Sequence, residues 1–419
     1  MIIATGADDR FAMPMAVTLY SALTNIEQGR AVTLYIFDGG ISEQNRRRLT
    51  EMLNVNHVRL RLEWVRPDLS PLKGVKTTQA FSQASYLRLL MPELMPDQVD
   101  RVIYLDSDLV VEKDLGELWE AKMGDLPALA VQEYMFPYVS CLDWVGDTYE
   151  MCRLSPKTPY CNAGVMVINL KRWRAEEIAR GALEYIRKFP QCVRYADQDG
   201  LNAVLAGAWG LLDPRWNVML GGINVYGQLF GMSKVEMQHA QEELLHEPFI
   251  LHFTGPIKPW CFVSREPAHL RFFHYLKQSK WFGAFEDIND LMKHTWKEFN
   301  EPDEWMKMLA MAAQELAAVI PKGDSFILVD ESCWPYGVVE GRPTMPFLER
   351  NGRYAGVPPD DATAIREFER LRESGAQFIV FANPALWWLS YFSELNRYLR
   401  RLFPCIIEND RLIGFDLRS

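Results

Sequence analysis

Strand-like and helical segments alternate from the first residues of the chain, and this alternation narrows the fold more than any other feature. Met1–Thr5, Val32–Phe37 and Val58–Val65 are short apolar runs, whereas Met13–Asn25 and Ser42–Leu53 carry helical spacing, with Ser42 as an N-cap. The pattern predicts βαβ units with right-handed crossovers and a mostly parallel sheet. Further strands are expected at Val102–Leu105, Ala128–Gln132 and Gly164–Asn169, and helices at 80–91, 174–188 and 197–206. From about 265 to 320 the pattern is helical, until Pro321-Lys322-Gly323-Asp324 breaks it. A second α/β pattern follows, with strands at 326–329, 377–381, 405–408 and 411–416 and helices at 362–374 and 386–402. The expected organisation is a first α/β domain over 1–264, a helical extension over 265–322 and a small C-terminal α/β domain over 323–419. The Pro- and Gly-rich stretch 333–360 is expected to be an ordered loop.

Composition bounds the function. A chain of 419 residues with 48% hydrophobic and 24% charged residues is that of a soluble globular protein. A net charge of -10 argues against nucleic acid or an anionic membrane as the main partner, leaving at most peripheral membrane contact. Seven cysteines without C-x-x-C spacing suggest buried thiols in a reducing compartment. No run approaches the roughly 20 apolar residues of a membrane span, and Met1-Ile2-Ile3 enters a strand without a leader, so a cytoplasmic location is expected.

The chemistry begins where the run Val102-Ile103-Tyr104-Leu105 passes into Asp106-Ser107-Asp108. Carboxylates at i and i+2 of an extended backbone point the same way and repel unless a cation lies between them. An acid-x-acid pair at the carboxyl end of a strand is thus a candidate site for a hard divalent metal; the alternative is a turn that merely ends the strand. A second apolar run, Phe249-Ile250-Leu251, leads into His252, Gly255 and Lys258. His252 offers a nitrogen ligand, Gly255 allows close backbone approach, and Lys258 supplies a positive charge suited to phosphate. Two carboxylates and an imidazole suit Mn²⁺ better than Mg²⁺. Taken alone, His252 also reads as a core histidine and Lys258 as a solvated surface charge.

In this order the motifs resemble glycosyltransferase family 8, the retaining, nucleotide-sugar-dependent group that includes lipooligosaccharide galactosyltransferases and glycogenin. The match is carried by Ala7-Asp8-Asp9, Ser85-Tyr86-Leu87-Arg88, Val102 to Asp108, Tyr160-Cys161-Asn162-Ala163-Gly164-Val165, Asp197-Gln198-Asp199, Trp216-Asn217 and His252-x-x-Gly255-x-x-Lys258-Pro259-Trp260. It covers roughly residues 1 to 280 and stops short of the C-terminal module. The resemblance implies a GT-A type, Rossmann-like mixed sheet with helices on both faces. It implies that Asp106, Asp108 and His252 hold Mn²⁺ against the phosphates of a UDP-sugar, with Mg²⁺ as the lesser alternative. Asp8 and Ala7 would line the uracil and ribose pocket, with Ser107 facing the ribose, and Gly255 and Lys258 would contact the diphosphate. Arg88, Asn162, Asp197 and Gln198 would surround the donor sugar. Arg10 stands where relatives often have Asn, and Glu133 where galactosyltransferases tend to place an Asp, which leaves the hexose open between galactose and glucose.

The implied reaction is hexosyl transfer with retention, in lipopolysaccharide or polysaccharide synthesis, to a glycan or glycolipid hydroxyl. Retention by double displacement needs a nucleophile on the opposite face, and the Gln198 amide is a poor one. Front-face attack, with the departing phosphate as base and Gln198 or Asp197 as polar stabilisers, is preferred to a covalent intermediate on Asp197. The bland readings are that Arg88 pairs a core carboxylate, Asp197 caps a helix beginning at Gln198, and Asn162 is a turn residue. Aromatic residues including Tyr134, Phe136, Tyr138, Trp144 and Tyr149 are candidates for acceptor stacking or for ordinary packing. Two other functions compete: a sugar nucleotidyltransferase-like enzyme, disfavoured by the lack of a Gly-rich basic loop after the first strand, and a catalytically silent glycan-binding protein. Oligomeric state is open, and residues 323–419 are expected to supply no donor ligand.

Overall fold

The computed structural model describes residues 1–75, 77, 82–141, 154–227, 230–255, 258–261, 266–299, 304–331, 333, 334, 339, 341–350, 353, 354 and 356–418. The chain forms two compact units, Met1–Lys293 and His294–Ser419. Trp144 and Tyr149 lie outside the described residues.

In the first unit, β1 (Ile2–Ala7), β2 (Ala31–Asp38), β3 (Arg59–Val65) and β4 (Arg101–Leu105) run parallel in the order β3-β2-β1-β4. The chain then leaves this sheet for a three-residue strand, β5 (Leu109–Val111), and returns as β6 (Ala128–Gln132), β7 (Cys161–Asn169) and β8 (Gly210–Leu211) to complete the order β3-β2-β1-β4-β7-β6-β8. Strand β7 is reversed against both β4 and β6, so the sheet is mixed. Continuous apolar runs such as Val102–Leu105 and Ala163–Ile168 are buried throughout, as expected of strands covered on both faces. A small second sheet has the order β5-β10-β9, with β9 (Val218–Met219) parallel and β5 antiparallel to β10 (Ile250–His252).

Helix α1 (Ala12–Thr24) covers the open edge of β5 with side chains spaced along one face. Thr18 Oγ1 donates to the Leu109 carbonyl and accepts from its N–H, both at 2.9 Å, and Ser21 Oγ accepts from Val111 N at 3.0 Å. Asn25 Nδ2 donates to the Val111 carbonyl at 2.9 Å. The helix thus supplies the hydrogen bonds that a neighbouring strand would otherwise make. Below β10, the helix Pro267–Ser279 packs His269 against the Phe253 ring at 5.9 Å between centroids.

Several elements differ from the sequence expectation. Residues 83–90 form a 3₁₀ helix followed by one α turn, Met91–Leu94, in place of the α-helix expected over 80–91. Tyr86 to Leu90 are all buried, so no exposed face marks the period and packing sets the backbone. The helix expected at 174–188 is broken at Glu177, with φ of 52°, into Leu170–Ala175 and Ile178–Lys188. Cys405 is exposed and Cys141, Cys261 and Cys333 half-buried, contrary to uniformly buried thiols. Tyr134 and Phe136 are packing residues: both are buried, against Tyr226 and against Tyr160 and Tyr195.

The second unit is built on β11 (Phe326–Val329), β12 (Thr344–Pro346), β15 (Phe378–Ala382), β16 (Cys405–Glu408) and β17 (Leu412–Asp416), ordered β12-β11-β15-β17-β16; β13 (Glu349–Arg350) and β14 (Arg353–Tyr354) form a separate hairpin. Those short strands lie within the stretch expected to be loop; three residues or fewer leave too little alternation to read. The helix expected over 386–402 breaks at Phe392, after which Ser393–Leu402 packs on Asp361–Glu373. Trp388 is fully buried and Trp387 is 41% exposed, and both indole N–H groups donate to Glu331 Oε1.

Thr18→Val is expected to strand the buried N–H and carbonyl of Leu109 and to lower the stability of the first unit by about 2–4 kcal/mol in urea denaturation; a loss below about 0.5 kcal/mol would show that α1 does not hold β5. Burial pushes the His269 imidazole down from 6.5 to about 4, and among the described residues its Nδ1 has no hydrogen-bond partner. With the folded value below the unfolded one, this contribution is complete above about pH 6.5 and is lost as pH falls towards 4. His269→Leu should remove up to about 3 kcal/mol of acid sensitivity in that window, and an unchanged acid limb would refute the assignment.

Candidate functional site

The acid pair lies where the chain crosses from one sheet to the other. Asp106 is the first residue past β4 and its N–H donates to the Gly164 carbonyl of β7 at 2.8 Å; Asp108 immediately precedes β5 and its carbonyl accepts from Phe253 N at 3.0 Å. The β5–β10 register pairs Leu109 with His252, which sets the imidazole against the carboxylates. His252 Nε2 is 3.3 Å from Asp108 Oδ1 and 4.0 Å from Asp106 Oδ2. One ligand atom from each of the three lies within 4.8 Å of the others. Donors bound to one divalent cation lie roughly 3–4 Å apart, so this set of two carboxylate oxygens and one imidazole nitrogen fits such an ion.

Two cations frame the group. Lys258 Nζ is 2.6 Å from Asp108 Oδ2 and also donates to the Phe253 carbonyl, so it is an inward-facing charge and not a solvated one. Burial opposes ionisation of Asp108, but the Lys258 ammonium beside it outweighs this and holds the carboxyl well below the usual range. Arg88, 3% exposed, donates to Asp106 Oδ1 at 2.8 Å, lies 2.6 Å from Asp197 Oδ2 and sits 4.2 Å above the Tyr104 ring. Burial works against the guanidinium, and Asp197 and Asp106 overcome it, so the cation is kept. For Asp197, burial outweighs the neighbouring Arg88 and pushes the carboxyl up to about 7; the 2.6 Å contact still pairs the two side chains. Asp197 opens the helix Asp197–Leu205 from inside; the N-cap is Ala196, at φ of 51°, which removes the capping explanation.

A bulge in β7 receives these groups. Ala130 of β6 pairs with Met166 but Val131 pairs with Asn162, so Ala163, Gly164 and Val165 are looped out from β6. The backbone groups of Ala163 and Gly164 turn to the site. Ala163 N donates to Gln198 Oε1 at 3.0 Å, the Ala163 carbonyl accepts from Arg88, and Gly164 N donates to Asn162 Oδ1 at 2.9 Å. Asn162 Nδ2 donates to Glu133 Oε2 at 2.8 Å, so Asn162 is a buried strand residue and not a turn residue. At the far end of β1, Asp8 caps a 3₁₀ turn through Arg10 N and accepts from Ser82 Oγ at 2.7 Å, while Ala7 is buried. Ser107 Oγ donates to the Gly6 carbonyl at 3.0 Å, tying the acid pair to β1, and Gly255 adopts φ of 81°.

Two residues matter here to which no part was given from sequence. Asn217, fully buried, faces His252 Nδ1 through Oδ1 at 2.9 Å, and its Nδ2 donates to Asn162 Oδ1 at 2.8 Å. The available signal was the Trp216-Asn217 motif itself, which entered the resemblance without a role. Gly164 leaves the room His252 occupies: a Cβ there would lie 2.2 Å from His252 Cε1. Gly164→Ala is therefore expected to displace the imidazole and to weaken Mn²⁺ binding by at least about tenfold, measured by titration with electron paramagnetic resonance; unchanged affinity would separate His252 from the metal.

The family described as Glycosyl transferase family 8 matches residues 2–263. General stress protein A of Bacillus subtilis (strain 168) is 29% identical over 284 residues, covering 67% of this chain and 94% of that protein. Lipopolysaccharide 1,3-galactosyltransferase of Salmonella typhimurium is 23% identical over 282 residues, 67% of this chain and 78% of that one. Lipopolysaccharide 1,2-glucosyltransferase of Escherichia coli (strain K12) is 23% identical over 281 residues, with the same shares. Among solved structures, the galactosyltransferase LgtC in complex with donor and acceptor sugar analogs aligns with a TM-score of 0.53 and 26% identity, over 66% of this chain and 96% of that one. Among the described residues, no helix is long and apolar enough to cross a membrane.

Proposed function

The chain belongs to glycosyltransferase family 8, and from that premise we propose that it is a metal-dependent, retaining hexosyltransferase that moves galactose or glucose from a UDP-sugar to a hydroxyl of a glycan or glycolipid. The observation that carries the proposal is the Asp106–Asp108–His252 group with Lys258 at its rim. The relatives named for galactose and for glucose support a hexose without choosing between them.

In this reading Asp106, Asp108 and His252 would hold a divalent cation, preferably Mn²⁺ for its tolerance of an imidazole ligand. When bound, the ion would act as a Lewis acid on the diphosphate leaving group. Lys258, which reaches the same carboxylate, would offer its ammonium to the leaving phosphate. Asp8 and Ala7 receive the uracil, Ser107 the ribose, and Gly255 the diphosphate. Arg88, Asn162, Asp197, Gln198 and Glu133 are assigned to the donor sugar.

The sugar-side geometry supports front-face attack over a covalent intermediate. The Asp197 carboxyl is 4% exposed and already beside Arg88, and the Gln198 carbonyl oxygen already accepts from Ala163 N. Those contacts disfavour a nucleophilic role for either. In this reading both would stabilise positive charge at the anomeric carbon, with the departing phosphate taking the acceptor proton. Donor chemistry is assigned to 1–264, with 265–322 as a helical extension and 323–419 as an accessory module for acceptor selection or partner binding.

Asp106→Ala and Asp108→Ala are each expected to lower Mn²⁺-stimulated transfer and hydrolysis of UDP-galactose and UDP-glucose by about 10²–10³-fold, and the glycosidic product should show the α configuration by NMR. A β-linked product, or full activity of either variant in chelated buffer, overturns the reading. UDP binding without turnover of any UDP-sugar would favour the silent glycan-binding alternative.

A further inference from the structure

We propose that Asn217 is a positioning residue that orients His252 and fixes which ring nitrogen carries the proton, with Asn162, Gly164 and Glu133 setting Asn217 in turn. The inference rests on the metal reading above and adds a residue to which that reading gives no part.

The polarity of this hydrogen-bond chain follows from groups that have no choice. A backbone N–H can only donate, and Gly164 N meets Asn162 at 2.9 Å, so that atom is the amide oxygen. The other arm of Asn162 is therefore the NH₂, and it faces the Glu133 carboxyl at 2.8 Å. Glu133 is anchored on its other oxygen by Tyr134 N at 3.0 Å. Because Asn162 Oδ1 accepts, the Asn217 atom 2.8 Å from it is the amide nitrogen. That leaves Asn217 Oδ1 facing His252 Nδ1 at 2.9 Å. An amide oxygen only accepts, so Nδ1 carries the hydrogen, and in the neutral ring Nε2 turns its lone pair towards Asp108 and Asp106.

A lone pair facing two carboxylates is repelled by them, and a divalent cation held by Asp106, Asp108 and His252 would satisfy all three. Position is set as firmly as polarity. Asn217 ends a 3₁₀ turn directly before β9, and the β9–β10 register pairs Met219 with His252. Gly164 completes the seat, since a Cβ there would fall 2.2 Å from His252 Cε1 and 3.0 Å from Asn162 Oδ1. Asn217, Asn162, Glu133 and His252 are all buried, so losing any one link leaves a desolvated group unsatisfied.

The test uses the metal-free, full-length protein with ¹⁵N-labelled histidine, the His252 signal being assigned with His252→Gln, and Mn²⁺ as the probe for binding. The expected result is a hydrogen on Nδ1 of His252 in the wild type. Asn217→Leu keeps the volume but loses the acceptor; it should move the hydrogen to Nε2, the tautomer an unconstrained imidazole prefers, and weaken Mn²⁺ binding roughly 10- to 100-fold. Asn217→Asp retains an acceptor and should retain the Nδ1–H form, with an affinity nearer the wild type than the Leu variant. A wild-type ring with its hydrogen on Nε2 overturns the proposal with no variant needed. Wild-type Mn²⁺ binding that Asn217→Leu leaves unchanged overturns the positioning role alone, whereas a wild type that binds no Mn²⁺ overturns the metal reading and the positioning role with it.

Discussion

The site depends on the three-residue pairing of β5 with β10. Without it, Asp106 and Asp108 would be two acids at the end of a strand and His252 one more buried histidine. The register places His252 opposite Leu109, one residue past Asp108, and the parallel pairing of β9 brings Asn217 behind the imidazole. So short a pair cannot stand alone, and its free edge is closed by Thr18 and Ser21 of α1 and by Asn25 at that helix's C-cap. A helix near the start of the chain thereby determines the geometry of a site assembled from its middle.

The β7 bulge is the second constraint. Looping three residues out from β6 frees backbone donors and acceptors that would otherwise be consumed in the ladder, and buried groups of that kind must find partners. They find Arg88, Gln198, Asn162 and the N–H of Asp106. Residues from four separate stretches are thus held by the same few peptide groups. Arg88 illustrates the balance: its burial is tolerated because Asp106, Asp197 and the Tyr104 ring surround it. A buried polar network of this kind specifies one arrangement, since each broken link leaves a desolvated group unsatisfied.

Local strain accompanies this arrangement. Ala196, immediately before Asp197, holds φ of 51°, an unusual conformation for a residue with a Cβ. The helix that follows is bound to β7 by Asn202, which accepts from Cys161 N and donates to its carbonyl. The direction in which Asp197 and Gln198 enter the site is therefore imposed by the strand and not by a cap.

Residue order alone determined the α/β alternation, the family, and the identity of the acid pair, because strand and helix periods and an acid-x-acid step at a strand end are local properties. It also singled out Asn162, Asn217 and Gly164 as parts of motifs. What those residues do was decided only by tertiary structure. The bulge that turns the peptide groups of Ala163 and Gly164 inward, the register that sets His252 against the acids, and the missing Cβ at Gly164 are relations between distant strands. The same holds for the misread segments: Tyr86 to Leu90 are covered on every side, so no hydrophobic stripe distinguishes a 3₁₀ from an α-helix. Local sequence specifies periodicity and chemistry, whereas which buried donor meets which acceptor is settled only when the chain folds back on itself.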